Sequence, residues 1–138
     1  VGVGGCGTIL LVEDEPRLRR TLARSLSGRA FTVEEAATAD EAVAAASARC
    51  FDLMLLDVNL PDATGWDVLR RLRAADKLDG LPVVVLSAVP PNPARVREFA
   101  PVGVLHKPFP IDALLRLVRV ACDLPPPDDG TPPDASQT

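Results

Sequence analysis

No apolar run in this chain of 138 residues approaches the ~18 residues of a membrane span. The N-terminus also lacks the basic start and apolar body of a secretory signal, so a cytoplasmic protein with no membrane association is expected. A basic face is missing as well. The formal net charge is −4, but Asp123, Asp128, Asp129 and Asp134 all follow the last basic residue, Arg119; setting them aside leaves 15 of the 19 acidic residues against 15 basic ones. A neutral body with scattered arginines has no electrostatic footprint for nucleic acid, and no direct nucleic-acid binding is expected. Cys6, Cys50 and Cys122 are odd in number and far apart. They match neither a zinc-ligand spacing nor a secreted disulfide framework and read as small apolar or incidental residues. There is no internal repeat. What is present, 47% hydrophobic and 25% charged residues, excludes a wholly disordered chain and suits one domain with a proper core.

Along the chain, short apolar runs alternate with helical patterns. Val1 to Gly7 is a glycine-rich lead-in, and the absence of an initiator Met suggests a processed or excised chain. Thr8 to Val12 is a buried-strand run ending on Glu13 and Asp14. Pro16 suits a first helical turn, with Leu18, Leu22 and Leu26 on one face and a stop near Ser27-Gly28. Phe31 to Val33 is a less apolar second strand, with Glu34 and Glu35 at its end. Thr38-Ala39-Asp40-Glu41 has capping-box form and opens an alanine-rich helix towards Ala48. From Leu53, four apolar residues run into Asp57, and the stretch to Gly65 carries Asn59, Pro61 and Asp62 as loop formers. Trp66, Val68, Leu69 and Leu72 then sit at helical spacing, with Arg70, Arg71 and Arg73 on a solvated face. Pro82 to Leu86 is a fourth strand, ending at Ser87-Ala88. Pro90, Pro91 and Pro93 confine the next helix to about Ala94 to Ala100. Gly103 to His106 is a fifth strand ending at Lys107-Pro108, and Ile111, Leu114, Leu115 and Val118 face the last helix, which reaches about Cys122. Residues 123–138 are Pro- and Asp-rich and read as a disordered tail or linker.

Five strands alternating with five helical patterns predict an α/β fold with a doubly wound parallel sheet. Ligands in such sheets bind outside the carboxyl ends of the strands. Here those ends carry Glu13 and Asp14, Asp57, Ser87 and Lys107. Asp57 alone reads as a strand stop; the convergence of carboxylates, a hydroxyl and an ammonium on one edge turns it into a candidate nucleophile. Carboxylates held together stay ionised only beside a cation, and hard oxygen ligands with room for water suit Mg²⁺. A metal, an ammonium and a hydroxyl stabilise a phosphoryl group, so an aspartyl phosphate is the chemistry expected.

The chain resembles a response-regulator receiver domain of bacterial two-component signalling, of the chemotaxis-regulator type. The resemblance rests on Val12-Glu13-Asp14-Glu15, Leu56-Asp57-Val58-Asn59-Leu60-Pro61 with Gly65, Ser87-Ala88 and Lys107-Pro108-Phe109, and covers roughly residues 8–122. It implies a flavodoxin-like fold with strand order 2-1-3-4-5. It further implies that Asp57 accepts a phosphoryl group from the phosphohistidine of a sensor histidine kinase or phosphotransfer protein, for onward phosphorelay to a downstream protein. Mg²⁺ is then held by Asp14, Asp57 and the backbone carbonyl of Asn59, with Glu13 acting through a water. Ser87 corresponds to the switch hydroxyl, Lys107 to the lysine that pairs with the phosphoryl oxygen, and the Lys107-Pro108 bond is expected to be cis.

Two departures from the family pattern bear on output. The strand-five aromatic is Val104 here, and the prolines shorten the fourth helix; phosphate chemistry should survive both. No acidic pair precedes the fifth strand, which weakens the analogy with dimerising DNA-binding regulators. Trp66 reads as core or edge packing, and His106 should point away from Lys107. The module is expected to catalyse only its own phosphorylation and dephosphorylation, and is not a turnover enzyme. The alternatives are a Mg²⁺-dependent phosphohydrolase with Asp57 as nucleophile, and a receiver-like binding module that is not phosphorylated. The former usually has a second acid two residues on, where this chain has Asn59. A stand-alone receiver, a regulator fragment and the receiver end of a hybrid kinase all fit the length.

Overall fold

The computed structural model describes residues 7–29 and 31–122. The expected tail, and the lead-in apart from Gly7, lie outside the described residues. Ten elements alternate: β1 (Thr8–Val12), α1 (Pro16–Ser27), β2 (Thr32–Ala36), α2 (Ala39–Ala48), β3 (Leu53–Asp57), α3 (Gly65–Ala74), β4 (Val83–Ser87), α4 (Pro93–Phe99), β5 (Gly103–His106) and α5 (Ile111–Ala121). The strands form one five-stranded sheet in the order β2-β1-β3-β4-β5, and every pairing is parallel. The expected doubly wound, flavodoxin-like fold is therefore present.

The central strands are apolar throughout because both of their faces are covered. Successive side chains alternate across the pleat. Leu10, Val12, Met54, Leu56, Val83 and Val85 meet the alanines of α2 and the Trp66–Leu72 face of α3. Ile9, Leu11, Leu53, Leu55, Val84 and Leu86 meet Leu22 and Leu26 of α1 and Leu114, Leu115 and Val118 of α5. Leu55 is wholly buried in this second layer. Leu55→Ala should lower unfolding free energy by about 2–5 kcal/mol, the transfer and cavity cost of a core leucine, in a urea titration.

Helix starts follow local chemistry. The Glu15 carboxylate accepts the Leu18 N–H at 2.7 Å before Pro16. Thr38 caps Glu41 at 3.1 Å, while the Glu41 carboxylate reaches the Ala37 N–H at 2.7 Å, one residue short of the expected reciprocal bond. A full capping box joins Thr64 and Asp67 at the start of α3.

Two expectations, on β2 and on the cysteines, are corrected, and two, on α4 and on the α3 arginines, hold with added detail. β2 continues through Glu34 and Glu35 to Ala36: Glu34 pairs with Arg49 at 2.7 Å and Glu35 with Arg19 at 3.1 Å, and charges suit a strand at the sheet edge. α4 starts at Pro93 and ends at Phe99, one residue earlier at each end, because Pro is at home in a first helical turn and the Asn92 side chain caps Ala94 at 2.8 Å. The arginines of α3 are paired as well as solvated: Arg70 with Asp67, Arg71 with Asp40 and Arg73 with Glu98. Cys50 is a free, exposed thiol, whereas Cys122, at the C-cap of α5, is disulfide-bonded and so not incidental.

α4 is the least embedded helix, with no buried residue. Phe99 stacks on Trp66 with ring centroids 6.2 Å apart, under the Arg73 guanidinium at 4.5 Å. Trp66 is buried, as expected of a packing residue.

Candidate functional site

The register of the sheet assembles the site. Val12 lies opposite Leu56, Asp57 opposite Leu86 and Ser87 opposite His106. The residue after β1, the last of β3, the last of β4 and the residue after β5 therefore reach the same carboxyl edge. Glu13, Asp57 and Ser87 are the buried polar residues of the described chain, and Asp14 beside them is exposed.

Carboxylate oxygens of Glu13, Asp14 and Asp57 lie within 4.8 Å of one another. The Lys107 ammonium closes the group, donating to Glu13 Oε1 at 2.7 Å and to Asp57 Oδ2 at 3.2 Å. The second Glu13 oxygen accepts the Glu15 N–H at 3.1 Å, and Asp57 Oδ1 accepts the Asn59 N–H at 3.1 Å. Burial, reinforced by the charge of Asp57, raises the Glu13 pKa against the hydrogen bonds from Lys107 and Glu15. Burial also works against the Lys107 ammonium, but the hydrogen bond and charge of Glu13, with Asp57 adding to them, outweigh it and hold its pKa above the ordinary value. Crowded hard oxygens with one exposed member suit a divalent cation that keeps part of its water shell.

Asn59 pairs with Thr64 in an antiparallel bridge, made by Gly65 N–H to Val58 C=O at 2.7 Å and Leu60 N–H to Ala63 C=O at 3.2 Å. Its own N–H and C=O consequently face away from Thr64. The N–H is on Asp57, and among the described residues no hydrogen bond is made to the carbonyl. Gly65 is required by space: a Cβ there would sit 2.6 Å from the Asp57 backbone oxygen and 3.1 Å from Val58 Cα. Gly65→Ala should displace the loop and cost about 1–3 kcal/mol in urea unfolding, the usual range for overpacking.

Ser87 is at the edge, but its hydroxyl does not reach the carboxylates. It donates to the Val89 carbonyl and accepts the Val89 N–H at 3.3 Å. Lys107 is aligned by its own N–H on the Ser87 carbonyl at 2.8 Å, ahead of a cis Lys107-Pro108 bond. His106 is exposed on the strand position before Lys107, as alternation requires. A cavity of about 410 Å³ lies at the opposite edge, lined in part by Arg73, Leu78, Val83 and Phe99, and none of the site carboxylates borders it.

Comparison with known proteins identifies the class. The chain belongs to the response regulator receiver domain family, whose model matches residues 9–119. It is 36% identical over 113 residues to the transcriptional regulatory protein CusR of Escherichia coli (strain K12), covering 80% of this chain and 49% of CusR. It is also 36% identical over 115 residues to the KDP operon transcriptional regulatory protein KdpE of the same strain, covering 82% and 50%. The chain thus spans about half the length of these curated relatives. Among solved structures, the non-phosphorylated HemR receiver domain from Leptospira biflexa matches with a TM-score of 0.76 and 32% identity, over 88% of this chain and 98% of that one. The response regulator TrrA from Thermotoga maritima, in complex with Mg²⁺-BeF, matches with a TM-score of 0.72 and 25% identity, over 83% and 98%. The chain is a receiver domain of two-component phosphorelay signalling. Among the described residues no helix is long and apolar enough to cross a membrane.

Proposed function

We propose that residues 8–122 form a cytoplasmic receiver unit in which Asp57 takes a phosphoryl group from the phosphohistidine of a sensor histidine kinase or phosphotransfer protein. An Asp57 carboxylate oxygen attacks phosphorus, the P–O bond forms as the P–N bond breaks, and the imidazole nitrogen keeps the electron pair. The observation that carries this reading is the buried Asp57 carboxylate, which shares Lys107 with Glu13 and lies within 4.8 Å of the other acids. Asp14, Asp57 and the free Asn59 carbonyl are the residues to hold Mg²⁺, with Glu13 contributing through a water. The bound cation would neutralise crowded carboxylate and phosphoryl charge. That TrrA is recorded with Mg²⁺-BeF supports the choice of metal.

Lys107 already faces Asp57, and its ammonium pairs with a phosphoryl oxygen once the phosphate is in place. Ser87 serves as the switch: its hydroxyl leaves the Val89 carbonyl to donate to the phosphoryl group, and the loop into α4 follows. The module turns over only its own phosphate and passes the signal to a protein partner.

Incubation with acetyl phosphate and Mg²⁺ tests this. A hydroxylamine-labile phosphoryl group should appear on the peptide containing Asp57 and be absent when EDTA is included. Labelling at another residue, or labelling indifferent to EDTA, would refute the assignment.

A further inference from the structure

The loop after β3 is tied to the sheet at its base and to a different helix at its tip. At the base, the Val58 N–H donates to the Leu86 carbonyl at 3.0 Å, above the Asn59–Thr64 bridge. At the tip, Asp62 Oδ1 accepts the Ala39 N–H at 2.8 Å and Asp62 Oδ2 accepts the Asp40 N–H at 3.0 Å. These two N–H groups open α2 and have no partner inside the helix. The next, that of Glu41, is taken by the Thr38 hydroxyl at 3.1 Å. The N-terminus of α2 is therefore satisfied from two sources, one local and one supplied by the loop that carries Asn59. Arg71 of α3 holds Asp40 at 2.9 Å and balances the charge at this corner. The Asp62 carboxyl stands below its usual pKa, chiefly through the Ala39 N–H, so it is the ionised form that α2 binds.

We infer that Asp62 is a positioning residue of the receiver site: by gripping α2 it holds the 60–63 tip, and through it Asn59, where the cation needs that carbonyl. The inference rests on the proposed Mg²⁺ site and adds a residue to it that no strand end announces. Both Asp62 oxygens are spent on α2, so it acts on the metal only through the loop. Residues that orient a metal ligand from outside the coordination sphere typically change affinity 10–100-fold when removed.

The test pairs Asp62→Ala with Thr38→Ala, which removes a cap from the same helix end without touching the loop. Thermal unfolding in Mg²⁺-free buffer should show both variants destabilised. Calorimetric titration with Mg²⁺ should show affinity lowered on the order of tenfold in Asp62→Ala and unchanged in Thr38→Ala. Asp62→Asn, which keeps one acceptor oxygen, should recover part of the affinity; it also carries the comparison if the alanine variant does not fold. Wild-type affinity in Asp62→Ala, or equal weakening in Thr38→Ala, would overturn the inference and leave the acidic site standing. Failure of the wild-type protein itself to bind Mg²⁺ would overturn the site and the inference together.

Discussion

Asp57→Asn is expected to abolish the response to beryllofluoride, a phosphoryl mimic, while the Mg²⁺-free fold becomes no less stable than the wild type. The substitution preserves the side-chain volume and the oxygen that can accept the Asn59 N–H, so packing and that bond survive. It removes one of two buried carboxylates sharing a single ammonium. Relief of Glu13–Asp57 repulsion offsets the weakened bond to Lys107, and a neutral amide neither attacks phosphorus nor completes the cation site. Trp66, the sole tryptophan, follows Gly65 at the end of the Asp57 loop and makes a natural reporter. Its fluorescence should change with Mg²⁺ and then beryllofluoride in the wild type and remain indifferent to beryllofluoride in Asp57→Asn. A persisting response would remove Asp57 from the centre of the site.

Lys107→Ala should have the second largest effect. It should fold, lose the conformational response to beryllofluoride, and be less stable by about 1–3 kcal/mol at neutral pH without Mg²⁺. Two buried carboxylates are left without their ammonium, but the lysine side chain is partly exposed and water can enter its place, which keeps the cost below that of breaking a fully buried pair. The deficit should depend on pH in a stated direction. A raised Glu13 pKa means that the folded state binds its proton more tightly than the unfolded chain, so this group favours folding when protonated and opposes it as pH rises above 4.5. Removing the ammonium enlarges that opposition, so the gap between variant and wild type should shrink as pH falls from neutral towards 4.5, where Glu13 is protonated in the folded state. At the other extreme, a Lys107 pKa raised above 10.5 adds stability that is full below that value and lost as pH rises through the folded pKa. The wild-type advantage should fade there too. Urea titrations across pH read both limbs; a gap that is flat in pH would show that the lysine acts through packing alone.

The fold was legible because its information is local. Leu10, Leu55 and Val84 sit in short unbroken apolar runs, and strands covered on both faces need nothing else. The site was legible for a related reason: in a parallel sheet all carboxyl ends share one edge, so Asp57, Ser87 and Lys107 could be placed together from order alone. Contacts between distant segments were not legible. Asp52 accepts the N–H groups of Gly7 and Thr8, both at 2.9 Å, and Asp62 caps a helix more than twenty residues back; as letters both are ordinary turn formers. A hydroxyl's direction is equally hidden, which is why Ser87 was placed at the right edge without its bond to Val89. Glu34 and Glu35 read as a strand end because in-strand acids contradict β-propensity, and their compensation lies on Arg49 and Arg19, in other elements.

The seating of α4 carries one more consequence. With no side chain of its own in the core, this helix is held mainly by the Phe99–Trp66 stack, the Glu98–Arg73 pair and the half-buried Val96. Segments with so little buried area open at a small fraction of the global unfolding free energy. Its amides should be among the first of the helical amides to exchange with deuterium, well before those of α3, on which it rests. A protein that grips α4 can therefore peel or tilt it with little loss of binding energy, leaving the sheet and its acidic edge undisturbed.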